Sequence, residues 1–159
     1  MTMNDKTRRR GAAAAAAIAI AAPAEGLRRV AYYDPPGILT VCAGHTGSDV
    51  MKDKVYSLVE CDAFLTADMH KAVAIVDDCV PGLPGNVLAA FADAVFNMGR
   101  TIVCDKAKSF AARLLAAGKI VEACDQLPRW NKARILGTLI ELPGLTKRRA
   151  AEQALCLKP

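Results

Sequence analysis

The 159 residues, 16.9 kDa in all, are one domain's worth of chain, or one domain with a short extension. A composition that is 53% hydrophobic and 23% charged excludes a disordered polymer, and 5% aromatic residues argue against a long all-β fold. With 21 basic against 16 acidic side chains the net charge is +5, which points to an anionic partner, whether nucleic acid, lipid or cell wall.

Residues 1–24 join a basic cluster, Arg8 to Arg10, to an apolar alanine-rich stretch that ends in Ala22-Pro23-Ala24. That is the layout of a signal or anchor-like segment, with an ordinary alanine-rich first helix as the alternative. The stretch is shorter and less apolar than an ordinary transmembrane helix requires. After it, Tyr32-Tyr33 and Ile38 to Val41 are strand-like and flank the turn signal Asp34-Pro35-Pro36-Gly37, which predicts a β-hairpin followed by a third short strand. Ser57 with Glu60 in capping-box register starts a long helix that runs to about Asp78. Pro81 to Gly85 breaks the chain, and residues 86–98 are apolar nearly all round, as a central buried helix is. Further helices are expected over about 106–117 and 120–127, the latter broken by Pro128. Residues 131–142 read as loop or hairpin, and a last helix begins near Pro143. The layout is α+β: a small sheet lobe joined by a long helix to a mainly helical lobe, with a cleft where the two meet.

Cysteines stand at 42, 61, 79, 104, 124 and 156, and the histidines are His45 and His70. No pair has metal-ligand spacing, so neither a metal nor another cofactor is expected. Six thiols spread over separate elements read either as buried small hydrophobes or as disulfides formed after export, with fifteen connectivities open. The carboxylates that invite chemistry are Glu25, directly after the alanine-rich segment, and Asp34, in the hairpin, with the Thr40 hydroxyl on the returning strand. Glycosidic hydrolysis needs a proton donor and a second carboxylate that activates water or stabilises a cationic transition state. The apolar sequence before Glu25 favours a protonated acid, and the polar turn favours an ionised Asp34.

Glu25-Gly-Leu-Arg-Arg, Tyr32-x-Asp34 and the run from Gly37 through Leu39-Thr40-Val41-Cys42 to His45-Thr46-Gly47 together resemble the phage-type lysozymes, the endolysins of glycoside hydrolase family 24. The spacing Glu, eight residues, Asp, five residues, Thr matches that family's active-site pattern at Glu25, Asp34 and Thr40. Phe96-Asn97-Met98-Gly99, the segment 125–130 and the segment 142–152 extend the resemblance over about residues 24–157. It is nearest to the signal-arrest-release subgroup, of whose N-terminal segment residues 8–24 look like a short, alanine-rich version.

The resemblance implies a lysozyme-like fold over 25–159 and peptidoglycan as the partner. The bond cut would join N-acetylmuramic acid to N-acetylglucosamine. Glu25 would be the proton donor, and Asp34 with Thr40 would hold water or stabilise charge; an aspartate at 34 favours a hydrolase over a transglycosylase. It also implies cleft-floor roles for Phe96 and Asn97, a structural pair between His45 and Asp68, and a basic residue, Arg148 or Arg149, reaching Glu25. The other reading of those arginines is a solvated helix face. Export to the periplasm or wall of a host, transient inner-membrane association through residues 8–24 and a monomeric enzyme complete the expectation. Trp130 reads as a buried anchor of the second lobe. Cys42 and Cys61 join the sheet to the long helix and are the first candidates for a disulfide. Two alternatives stand beside the enzyme: a non-catalytic peptidoglycan-binding relative, and a cationic membrane-active protein working through residues 146–157. A nucleic-acid role is disfavoured by dispersed basic residues without a recognition motif.

Overall fold

The computed structural model describes residues 2–34 and 37–159; Pro35 and Pro36 of the expected hairpin turn lie outside the described residues. Helix α1 (Met3–Ala24) begins at a capping box between Thr2 and Asp5 and carries both the basic cluster and the alanine run. Ala13, Ala14, Ala17 and Ala21 recur on one face and are buried. Their small side chains let α1 lie close against α3 (Gly85–Met98), the apolar helix at the centre of the larger core. No helix among the described residues is long and apolar enough to cross a membrane.

Strands β1 (Arg28–Tyr33), β2 (Leu39–Cys42) and β3 (His45–Thr46) form the antiparallel sheet in that order. The hairpin is closed where the Asp34 amide donates to the Ile38 carbonyl at 3.0 Å. This lobe has its own small core of Val41, Cys42, Val50, Tyr56 and Cys61, with Phe64 packed against it. Helix α2 (Leu58–Cys79) then crosses from this core to the larger one. It starts as expected, with Ser57 and Glu60 exchanging cap hydrogen bonds.

The second lobe differs from expectation in detail. A short helix α4 (Thr101–Cys104) precedes α5 (Phe110–Ala116), so the helix expected from about 106 begins four residues later, where Ser109 caps it by accepting from the Ala112 amide. Helix α6 (Ile120–Cys124) ends early and a 3₁₀ turn over Leu127–Trp130 takes up the rest, with Pro128 in its first turn. Residues 131–142 resolve as a hairpin, β4 (Lys132–Ile135) and β5 (Thr138–Glu141), leading into α7 (Pro143–Cys156). Trp130 packs against the core but is only half-buried. Disulfides join Cys42 to Cys61, Cys79 to Cys104 and Cys124 to Cys156, so all six cysteines are paired.

The basic start of α1 is held against the end of α2. Arg9 and Arg10 both bond to the buried Asp77 carboxylate, Arg10 at 2.7 Å; Arg10 also reaches Asp78 at 2.8 Å, and Arg9 the Leu83 carbonyl at 2.5 Å. Burial pushes the Asp77 carboxyl up, but the hydrogen bonds and charges of Arg10 and Arg9 outweigh it and hold it below the ordinary carboxylate value. A carboxyl lowered on folding contributes stability above its unfolded value, near pH 4, and loses that contribution as the pH falls through the folded value. Asp77→Asn is therefore expected to destabilise the protein by about 2 kcal/mol at pH 7, with the difference from the parent shrinking below about pH 4. Melts followed by circular dichroism across pH 2–7 test this, and a difference that stays constant down to pH 2 refutes it.

Candidate active site

Glu25 is the C-terminal cap of α1, its backbone extended (φ −89°, ψ 135°) and its amide donating to the Ala21 carbonyl at 3.0 Å. The helix therefore delivers this carboxylate to the junction of the lobes. The apolar setting suggested by the preceding sequence is not what surrounds it. Arg148 Nη1 donates to Glu25 Oε1 at 2.5 Å, so the carboxylate sits in an ion pair. Its other oxygen lies toward the turn between β2 and β3: a Cβ built on Gly44 would come within 4.0 Å of Oε2. Gly44 has φ +87°, a conformation that costs glycine nothing, and it places no side chain against that oxygen.

Arg148 is 4% exposed and lies on α7, with Arg149 at 0% beside it. Neither is part of a solvated basic face, which removes that reading of the last helix. Arg148 forks onto Asp93 of α3, Nε to Oδ2 at 2.9 Å and Nη2 to Oδ1 at 2.8 Å, the two-point geometry in which guanidinium and carboxylate match best. Burial works against its charge, but Asp93 and Glu25 outweigh burial and hold the guanidinium charged, above its ordinary range. Arg149 donates to Asn97 Oδ1 at 3.0 Å and lies 2.7 Å from Glu152 Oε1. Burial, with the Asp93 carboxylate close by, pushes the Glu152 carboxyl well above the usual range.

A cavity of about 300 Å³ opens where the lobes meet. Its floor is apolar, from Ala72 and Ile75 of α2 and Val95 and Phe96 of α3; its rim is Gly44 and Thr46 of the sheet turn with Asp68, Lys71 and Arg100. Phe96 thus lines this space, whereas the Asn97 amide oxygen is committed to Arg149. A larger cavity of about 420 Å³, against Trp130 and Phe110, lies in the second lobe away from the carboxylates.

The remaining residues singled out in the sequence belong to the sheet side. Asp34 Oδ1 accepts from the Ile38 amide at 2.7 Å, which ties the carboxylate to its own hairpin. Thr40 is 3% exposed, and its hydroxyl donates to the Ile38 carbonyl at 3.0 Å. His45 is buried; Nδ1 stands 2.6 Å from Asp68 Oδ2 and Nε2 3.1 Å from Asp49 Oδ1, with the ring stacked on Phe64 at 3.9 Å. The hydrogen bond with His45 pulls Asp49 below its ordinary value. These contacts pin β3 to α2 at the rim of the cavity. Asp93 and Glu152 escaped the sequence reading. The signal for Asp93 was there, one carboxylate in an otherwise apolar helix.

The chain is similar to known proteins along most of its length. Residues 22–152 match the family model described as phage lysozyme. The SAR-endolysin of Bacteriophage PS119 is 35% identical over 153 residues, covering 92% of this chain and 87% of the relative. Among solved structures, the muramidase domain of SpmX from Asticaccaulis excentricus superposes with a TM-score of 0.79 at 28% identity, over 91% of this chain and 96% of that one. The active form of P1 phage endolysin Lyz gives 0.72 at 26%, over 89% and 83%.

Proposed function

Since the chain belongs to the phage lysozyme family, we propose that it is an endolysin that lyses bacterial peptidoglycan by hydrolysing the β-1,4 bond between N-acetylmuramic acid and N-acetylglucosamine. The observation that carries this reading is the placing of Glu25: it ends α1 at the lobe junction, one oxygen bound by Arg148 and the other turned to the open backbone of Gly44. With Oε1 accepting from Arg148, the proton to be donated sits on Oε2, the oxygen on the side of Gly44. The glycosidic oxygen takes that proton as the bond breaks, and the sugar passes through an oxocarbenium-like state. Asp34, anchored on its hairpin, stabilises the developing charge or orients water together with Thr40. The apolar floor at Ile75 and Phe96 receives the sugar faces, and Lys71 and Arg100 suit an anionic substrate at the rim.

Export to the periplasm is part of the same proposal. The basic start and alanine-rich run of residues 8–24 support a weak membrane association that precedes folding of the segment as α1, after which the enzyme acts as a monomer. Purified walls digested with the intact chain and analysed by mass spectrometry test the chemistry. Fragments ending in a reducible N-acetylmuramic acid are expected. Fragments ending in anhydromuramic acid would show transglycosylation, and clearing without new sugar ends would show that the chain acts without cutting glycan.

A further inference from the structure

We propose that Asp93 is a positioning residue for Glu25, acting through Arg148. This rests on the reading of Glu25 as the proton donor. Asp93 is wholly buried in the middle of α3, where a charge is costly unless it is paired. Its two oxygens take Nε and Nη2 of Arg148, which fixes the plane and the rotation of the guanidinium and leaves Nη1 aimed at Glu25. The Glu25 carboxylate closes a loop-exposed helix end, and α1 itself offers that side chain no hydrogen-bond donor. Its placement is inherited from Arg148, and that of Arg148 from Asp93.

The same geometry divides one positive charge between two carboxylates. The titratable and charged groups of this cluster come from three elements: Glu25 ends α1, Asp93 is on α3, and Arg148, Arg149 and Glu152 are on α7. If Asp93 is made neutral, a nearby negative charge vanishes and Arg148 is left undivided on Glu25. Both changes make Glu25 hold its proton less readily, so the alkaline limb of the rate moves to lower pH. Lengthening the side chain by one methylene keeps the charge and displaces the fork, which costs rate without moving the limb.

The test is a pH profile of kcat/KM on purified walls for the parent, Asp93→Asn and Asp93→Glu, with reducing ends as the readout. Asp93→Asn is expected to move the alkaline limb to lower pH. Both variants are expected to lose about a hundredfold in kcat at the parent's optimum while KM changes less than about threefold. Unchanged kcat in either variant overturns the proposal, and so does a loss of kcat in Asp93→Asn without a moved limb, since damaged packing alone would produce that. Where Asp93→Asn has no cooperative melt, Asp93→Glu decides through its split between kcat and KM. Failure of the underlying reading shows separately, as a parent that releases no reducing ends or a Glu25→Gln variant that still does.

Discussion

Glu25→Gln is expected to lower kcat for release of reducing ends from purified walls by about 10² to 10⁴-fold, the ordinary worth of a general acid, with KM nearly unchanged. The amide is close to the carboxyl in shape. Its oxygen still accepts from Arg148 Nη1, so the end of α1 stays where it is, and Arg148 keeps its fork on Asp93. What is lost is the proton on the side of Gly44, where a leaving oxygen would take it. The melting temperature should fall by only a few degrees, because Glu25 is the most exposed member of its cluster and the buried pair remains whole. Wild-type rates of reducing-end release by Glu25→Gln would remove Glu25 from the mechanism. Clearing of cells by both proteins without reducing ends would replace the glycosidase with a membrane-active protein, which leakage from anionic liposomes would then reveal.

Much of the fold was legible because local signals agreed with the tertiary outcome. Ser57 and Glu60 sit at capping-box spacing, and the structure uses both. Residues 86–98 are apolar nearly all round because α3 is covered by α1, α2 and α7. The α+β arrangement follows from those elements and the hairpin at Tyr33 to Leu39. What the sequence left open or displaced has physical causes. The β4–β5 turn is Leu136-Gly137, both with positive φ, and a leucine in that position carries none of the Asn-Gly or Asp-Gly chemistry that marks such a hairpin in sequence. Helix α5 starts late because Ser109 caps it, after Asp105 has drawn the amides of Ala107 and Lys108 into a turn.

The candidate site could be named in the sequence, but its electrostatics could not be read there. Glu25, Asp34 and Thr40 stood out through the family resemblance, and His45 does meet Asp68. The Cys42–Cys61 bridge also formed as expected, whereas nothing local pairs Cys79 with Cys104 or Cys124 with Cys156. The charge cluster depends on three helices meeting. Arg148 is 123 residues from Glu25 and 55 from Asp93, so no window along the chain shows that Lys147-Arg148-Arg149 turns two of its charges inward. For the same reason an apolar setting for Glu25, reasonable from its neighbours in sequence, gave way to a guanidinium.

Arg148→Met is expected to destabilise the protein by about 3–5 kcal/mol, the cost of leaving a buried carboxylate without its partner. At about 2–4 °C per kcal/mol for a domain of this size, the melting temperature should drop by roughly 10 °C. Asp93 loses both arms of the fork, and Glu25 loses the donor that sets its position, so turnover should fall with stability. Arg148→Lys keeps a charge but presents a point instead of a planar fork; it should recover part of the stability and little of the rate. Stability and catalysis separate in the double variant Asp93→Leu/Arg148→Met, which removes the buried charge together with its partner. Replacing both partners by apolar side chains costs less than stranding one, so the double variant should melt above Arg148→Met alone and remain inactive. Melting curves and reducing-end assays on the parent, Asp93→Leu, Arg148→Met and the double variant decide the matter. If Arg148→Met melts with the parent, the Asp93–Arg148 pair holds nothing together; if the double variant regains turnover, Glu25 does its chemistry without them.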